Sequence, residues 1–494
     1  MYKRALLAGV LAAGLTAGAL PATAQTDSAT ADQIRRAIKV WMGQNLQNPA
    51  GIYTIALDGS ITVEPDGDSY RAVIPAATVT FAGEADLFFG AIEIDLTPTD
   101  NGWYGAVWRI PDNYRIVERG GRGEAVTMTI GSQSGQGVFA PEFETFMSMD
   151  ATWGDLELTG PGGAGRMTIK AVTAISNSNE VSSALYDVRS HVSISNMRVW
   201  DDDGDQVFDM AGAEFTAEAG RFNMADFTAF NNEFKALIRD VQGGQNHQAL
   251  LAMSETMASL LEATPTLLDS FEFAYAVEDF AVTDGGESFS IDNGSFRMAA
   301  SGLEGDRSSV EIDSASDGVE IDPFPFARFV PSETQVSLAL IDLPNDALVE
   351  VITSALRSSG QMGPEAAVMM SGIQLQQAIM DAGSAIEIRA IRVIADIATL
   401  ELEGVVRPNA ASSYGVTAEA DMVITGIDAL IAEVRDTLGD QGTVQMLTVL
   451  QAMGREGTGA NGEPARIYEF RLDEAGAMLL NGTDMMPLIG DALQ

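Results

Sequence analysis

Histidine, the side chain that most often shuttles protons or binds metal ions in proteins, occurs at two positions, His191 and His247. His191 opens a predicted strand, and His247 lies at the start of a predicted helix, where an imidazole is usually solvated or caps the helix. The two histidines form no pair at helical or turn spacing, and the chain has no cysteine. Zinc ligation is therefore disfavoured, and a thiol nucleophile and disulfides are excluded. The sequence predicts no catalytic and no cofactor-binding residue.

A calcium site is the one metal hypothesis that the sequence offers, at Asp201, Asp203 and Asp205 around Gly204. An EF-hand loop with this glycine needs an oxygen ligand where Val199 stands and a bidentate acid where Met210 stands. Because both requirements fail, we interpret the segment as an acidic hairpin tip. A weak calcium site at these three aspartates is the alternative.

Two glycine-rich segments imitate nucleotide-binding loops but depart from them. Segment 160–167 has the outline of a phosphate loop, yet Arg166 replaces the lysine and Met167 replaces the hydroxyl that holds magnesium. Segment 135–140 resembles a dinucleotide fingerprint but runs into Pro141. We interpret both segments as turns. A pair of carboxylates for sugar hydrolysis leaves no sequence spacing to detect, so a hydrolase stays open in a chain with 70 acidic residues.

The first 24 residues have the three parts of a secretory signal. Lys3 and Arg4 precede a small-apolar run over 5–20, and Ala22 and Ala24 occupy the small-residue positions before a cut after Ala24. No cysteine at the cut and no paired arginines point to general secretion into a periplasm, without a lipid anchor. No later apolar run reaches about 18 residues, so we predict no membrane-spanning segment in the mature chain.

The net charge excludes whole classes of partner. The full chain carries −42 and the mature chain −44 once Lys3 and Arg4 are removed. A field of this sign repels phosphate backbones and anionic lipid surfaces, so nucleic acid is excluded as a partner and so is charge-driven attachment to an anionic membrane.

Hydropathy periodicity alternates blocks of strands with pairs of amphipathic helices. The predicted fold class is α+β, with extended antiparallel β-sheets interrupted and covered by amphipathic helix pairs. A first helix is predicted to open at Thr30, with Ile34, Ile38 and Trp41 on one face. The predicted regions are a signal peptide (1–24), a β-rich region with one leading helix (25–222), a helix pair (223–268), a β-hairpin region (269–343) and a C-terminal α+β module (344–494).

Methionines on the predicted helices form a further candidate binding feature, because an unbranched thioether adapts to acyl chains or to partner proteins. An ordinary core between helix and sheet is the alternative. These residues are Met253, Met257, Met369, Met370, Met380, Met446 and Met453.

A short internal echo predicts a duplicated hairpin. Asp203, Phe208 and Phe215 recur with the same spacing 81 residues later, as Asp284, Phe289 and Phe296. A hairpin with an aromatic residue on its inward face is the alternative reading of this echo.

Two stretches near the C-terminus resemble a known family. Segment 385–404, followed by 416–426 and a helix, is similar to YdgA-like bacterial cell-envelope proteins, and 467–472 with 477–482 resembles the closing hairpin of that family, with its terminal Asn481 and Gly482. Uncharacterised periplasmic families of alphaproteobacteria look alike in this respect. The resemblance implies a secreted, β-rich protein without a known catalytic site, so it carries over no functional residues.

These observations predict a non-enzymatic, secreted periplasmic cell-envelope protein with a face that binds lipid or another envelope protein. A secreted hydrolase that acts on glycans through two carboxylates is the alternative.

Overall fold

The computed structural model of this chain is mostly antiparallel β-sheet. It describes residues 27–45, 53–81, 85–100, 102–119, 125–140, 143, 145–227, 229, 254–259, 261–262, 267–324, 326–362, 364–460 and 462–485. Strands account for 59% of the chain and helices for 21%, which confirms the antiparallel β-rich part of the predicted fold class. Contacts divide the chain into two compact units, Met1–Asp269 and Ser270–Gln494. Within the described part of the chain, no helix has the length and apolarity needed to cross a membrane.

In the described part of the first unit, one helix is followed by strands. The described elements are α1 (Ser28–Asn45), β1 (Tyr53–Leu57), β2 (Thr62–Asp66), β3 (Ser69–Ile74), β4 (Ala77–Phe81), β5 (Ala85–Phe89), β6 (Ile92–Pro98), β7 (Tyr104–Arg109), β8 (Asn113–Glu118), β9 (Ala125–Ala140), β10 (Thr145–Thr159), β11 (Arg166–Ser182), β12 (Leu185–Trp200) and β13 (Gln206–Asn223). The helix pair predicted over 223–268 lies largely outside the described residues.

Strand β9 is the branching point of this unit. One edge pairs with β10 along almost its whole length, and the meander continues through β11 and β12 to β13. The other edge pairs first with β8 and then with β7. Strand β8 leads on to β5, β4 and β1, and β7 leads to β6, β3 and β2. Two short sheets therefore diverge from one strand and enclose apolar residues between them.

Helix α1 contributes one apolar face to this core. Ala31, Ile34 and Ile38 lie three and four residues apart, as one face of a helix requires, and all three are buried. The helix begins two residues before the predicted Thr30, because the Oδ1 atom of Asp27 accepts the Thr30 backbone N–H at 2.7 Å and caps the first turn. The Trp41 side chain falls outside the described residues.

Each of the strands β9–β13 has one extra residue, and these residues form a transverse line across the sheet. At this line, the alternation of apolar and polar residues shifts by one position in every strand. The cross-strand pairing omits Gly131, Asp155, Lys170, Asn196 and Ala211, which lie next to one another on successive strands. Asp155 and Asn196 adopt left-handed backbone angles, with φ of 51° and 48°. On β10 the buried side chains accordingly change from odd positions, up to Trp153, to Leu158. The extra residue keeps the same face apolar on both sides of the line.

The second unit is a meander into which two helix pairs are inserted. Its elements are β14 (Ser270–Asp284), β15 (Glu287–Ser301), β16 (Arg307–Asp317), β17 (Glu320–Asp322), β18 (Glu333–Pro344), α2 (Asn345–Met362), α3 (Pro364–Ala382), β19 (Ala385–Ile394), β20 (Thr399–Pro408), β21 (Val416–Thr425), α4 (Ile427–Glu433), α5 (Gln441–Met453), β22 (Arg455–Thr458), β23 (Pro464–Leu472), β24 (Met478–Leu480) and β25 (Thr483–Asp484). A π-helical turn, Val434–Leu438, continues α4.

Neighbouring strands of this unit pair in the order β14, β15, β16, β18, β19, β20, β21 and β23. The pairing of β18 with β19 therefore runs across the predicted boundary between residues 343 and 344. Helices α4 and α5 pack on the far end of the sheet, where Ile431 and Val444 join Ile424 and Tyr468 in a buried cluster.

Candidate functional site

The aspartates of the calcium hypothesis form the tip of the β12–β13 hairpin. The Oδ1 atom of Asp201 accepts the backbone N–H groups of Asp203 at 3.0 Å and Asp205 at 2.9 Å. The Asp201 N–H donates to the Asp205 carbonyl at 2.9 Å. These bonds close the turn, and no group of three or more potential metal-ligating side chains occurs among the described residues.

His191 is the one histidine among the described residues. His191 lies in β12, opposite Ile175 and Thr216, and its Nδ1 atom is 3.3 Å from the Thr216 hydroxyl oxygen. His247 lies outside the described residues.

The glycine segments have different structures. Segment 160–165 is the turn between β10 and β11, closed by the Gly160 N–H on the Gly165 carbonyl at 2.9 Å, as predicted. The interpretation of 135–140 as a turn is wrong, because these residues belong to β9. A Cβ atom on Gly135 would lie 2.3 Å from the Nε1 atom of Trp108, so the glycine makes room for the indole within the sheet.

Among the described carboxylates with a clearly shifted pKa, none has the raised pKa that a catalytic acid needs. The carboxylates with a clear shift are Asp27, Asp86, Glu311 and Asp440, and hydrogen bonds lower the pKa of each. A glycosidase needs one carboxyl whose pKa is raised. The hydrolase alternative therefore gains no support from these groups.

An open cleft in the first unit lies beside Phe88, Phe89, Tyr114, Arg115 and Met128. The Tyr114 hydroxyl is buried and has no hydrogen-bond partner among the described residues, and burial raises its pKa. No carboxylate is among the residues that line this cleft, so it lacks the pair that glycan hydrolysis requires.

The second unit contains the most extensive candidate site, an uncharged face on six adjacent strands. Alternate residues of β14, β15, β16, β18, β19 and β20 point to one side of the sheet. Twenty-four residues lie there in four cross-strand rows, and none carries a charge. The rows are Phe271, Ala300, Val310, Leu340, Ile386 and Val406; Phe273, Met298, Ile312, Leu338, Ile388 and Gly404; Tyr275, Phe296, Ser314, Val336, Ile391 and Leu402; and Val277, Gly294, Ser316, Thr334, Val393 and Leu400.

The uncharged face is accessible. Ala300 is its one fully buried member, while Phe273, Tyr275, Leu340 and Ile386 are between 36% and 44% exposed. Six strands span about 24 Å and four alternate residues about 20 Å. The outline of the face is therefore as large as an apolar binding patch, and five of its residues, Phe273, Tyr275, Leu340, Ile386 and Ser314, are exposed.

Aromatic side chains line one margin of this face. The Tyr275 ring stacks on Phe296 with centroids 5.7 Å apart and an interplanar angle of 23°, and it lies 6.5 Å from Phe273. Cross-strand contacts of this kind hold flat apolar surface in a fixed orientation.

The residues between the four rows form the charged face on the other side of the same strands. Arg297 binds Glu272 at 2.8 Å, Asp313 at 3.0 Å and Glu311 at 3.2 Å, and Arg389 binds Glu311 at 2.7 Å. Arg392 in the same way binds Glu333 at 2.9 Å and Glu401 at 3.3 Å. Segregation of all charge to one side leaves the other side suited only to uncharged groups.

The methionine hypothesis placed the adaptable surface on the helices. Met446 is 63% exposed on α5, whereas Met253 and the side chains of Met369 and Met370 lie outside the described residues. The sequence reasoning missed the uncharged face, whose signal was the alternation of apolar and charged residues in each of the six strands.

No protein-family model, curated protein or solved structure matches this chain. The resemblance to YdgA-like proteins therefore stays a prediction.

Proposed function

We propose that this chain is a non-enzymatic, secreted periplasmic protein of the cell envelope, whose uncharged face binds the acyl chains of an envelope lipid. The observation that carries the proposal is the set of four uncharged, cross-strand rows on six strands, with four large apolar side chains more than a third exposed. The predicted cut after Ala24 supports the same compartment.

Acyl chains fit this face better than another protein does. A protein interface needs about one hydrogen bond per 100–200 Å². The uncharged face has four polar side chains, Tyr275, Ser314, Ser316 and Thr334, and the last two already share a hydrogen bond of 2.6 Å. An acyl chain needs no hydrogen bond, and ten buried methylenes would contribute about 8 kcal/mol before the costs of association.

The helix pair α2–α3 has a role in this proposal. It follows β18 directly, so its position in the chain lets it cover part of the uncharged face. A covering helix pair would shield bound acyl chains from water and would be the helix-covered sheet that the sequence predicts.

Substitutions at two adjacent exposed residues of β16 test the proposed function. Ser314 belongs to the uncharged face and Ala315 to the charged face, and both are small. Ser314→Glu should weaken binding of a fluorescent diacylglycerol about tenfold or more, since it puts a charge among acyl chains. Ala315→Glu adds the same charge on the opposite side and should change the affinity less than about twofold.

Native mass spectrometry of protein purified from its own host should in addition show a bound lipid that Ser314→Glu loses. Clean apo protein that ignores the diacylglycerol probe, or equal effects of the two variants, would overturn the proposal.

A further inference from the structure

We infer that the amphiphile bound on the uncharged face has no net negative charge, so that neutral and zwitterionic lipids are its ligands and anionic lipids are rejected. This inference rests on the proposed function and adds the class of head group. The inference depends on the charges of the residues around this face.

The second unit is strongly acidic as a whole. Residues 270–494 contain 36 acidic side chains, 11 arginines and no lysine, a net charge of −25. Seven of these arginines form ion pairs with carboxylates, among them Arg297, Arg389 and Arg392 on the charged face. A phosphate or carboxylate head group is normally held by an arginine or lysine, and these seven arginines already have acidic partners.

Two acidic residues follow the fourth row of the uncharged face. Past Val277 and Gly294, the strands β14 and β15 continue into Asp279 and Asp292, and beyond them into the apolar pairs Phe280–Ile291 and Val282–Phe289. Both aspartates are exposed. A head group placed just past this row therefore lies near two carboxylates.

The opposite margin has an arginine that bonds to backbone carbonyls. The Nη1 atom of Arg307 donates to the carbonyls of Asp342 and Ala382. Exposed Glu304 and Asp306 lie in the turn just before it. Acidic residues thus outnumber the arginine here, so a head group at either end of the rows lies near net negative charge.

Repulsion of this kind depends on salt in a way that acyl burial does not. The Debye length is about 10 Å at 0.1 M salt and about 30 Å at 0.01 M, and the face is about 20 Å wide along the strands. The rejection of anions should therefore be strong at low ionic strength and weaker at physiological ionic strength.

The test compares three single-chain lipids with the same acyl chain on the mature protein. These are a monoacylglycerol, a lysophosphatidylcholine and a lysophosphatidylglycerol, and their affinities are measured by isothermal calorimetry at about 0.01 M and 0.15 M salt. The neutral and zwitterionic lipids should bind about tenfold or more tightly than the anionic lipid at low salt. The difference in affinity between the anionic lipid and the other two lipids should decrease as the salt concentration increases.

The double variant Asp279→Asn with Asp292→Asn should raise the affinity for the anionic lipid and leave the monoacylglycerol affinity unchanged. Glu278→Gln removes one charge from the charged face of the same strand and should have the smaller effect on the anionic lipid. Equal or tighter binding of the anionic lipid at low salt would overturn the inference while the proposed function stands. Failure of all three lipids to bind would overturn both.

Discussion

Asn481 joins the closing hairpin of the chain to the end of helix α5, because its Nδ2 atom donates to the Met453 carbonyl at 2.9 Å. The same amide donates to the Ile467 carbonyl at 3.1 Å, and its Oδ1 atom accepts the Glu469 N–H at 2.9 Å and the Arg455 Nε–H at 3.2 Å. One side chain thus forms hydrogen bonds with backbone groups of both helix α5 and strand β23.

Asn481→Asp should destabilise the protein by about 2–3 kcal/mol, since the isosteric carboxylate keeps the acceptors but leaves two carbonyls without a donor. The free energy of unfolding from urea denaturation measures this loss. Asn293→Ala is the control, because Asn293 is exposed and donates to one carboxylate at a strand margin. An equal loss in both variants would contradict the role of Asn481.

Asn196 lies on the transverse line of the first unit with a φ of 48°. Asn196→Gly should leave stability within about 0.5 kcal/mol, whereas Asn196→Val should cost about 2 kcal/mol, because a β-branched side chain does not tolerate left-handed backbone angles. Ser193→Val, in extended backbone of the same strand, provides the comparison. The prediction fails if Asn196→Val is no less stable than Ser193→Val in thermal denaturation.

Glu311 makes the stability of the folded protein depend on pH in the acidic range. Hydrogen bonds from Arg389 and then Arg297 hold the pKa of its carboxyl below the ordinary value of 4.5. The folded state therefore binds the proton more weakly than the unfolded state, so this stabilisation is present above pH 4.5 and is lost as the pH falls through the folded-state pKa. Glu311→Gln should be less stable than the parent at neutral pH and lose stability less steeply below pH 4.5.

Denaturation midpoints measured across this pH range check the prediction. Glu278→Gln, on the same charged face, should retain the pH profile of the parent protein. Parallel profiles for the parent and Glu311→Gln would show that this ion cluster does not control the acid response.

Local sequence patterns predicted much of the second unit. Residue alternation predicts a strand over 478–480, which matches β24. Apolar residues at helical spacing predict helices over 345–356 and 364–380, and α2 and α3 begin at the same residues, Asn345 and Pro364. The Asn481–Gly482 turn has positive φ at both residues, 51° and 79°, as a two-residue hairpin requires. These features depend on backbone preferences and on neighbours a few residues away.

Strand alternation, acidity and the absence of cysteine were therefore fixed by the sequence alone, because each is a property of composition or of short-range order. Only the tertiary structure decided that Ser314 lies between Phe296 and Val336, and that apolar residues of six strands form one face. Strand register depends on pairing between segments that are distant in the chain, with extra residues at Arg389 and Asp342 that keep the apolar side chains on one side. No periodicity within a single strand specifies that register, since a shift of one residue reverses the faces without changing the local pattern.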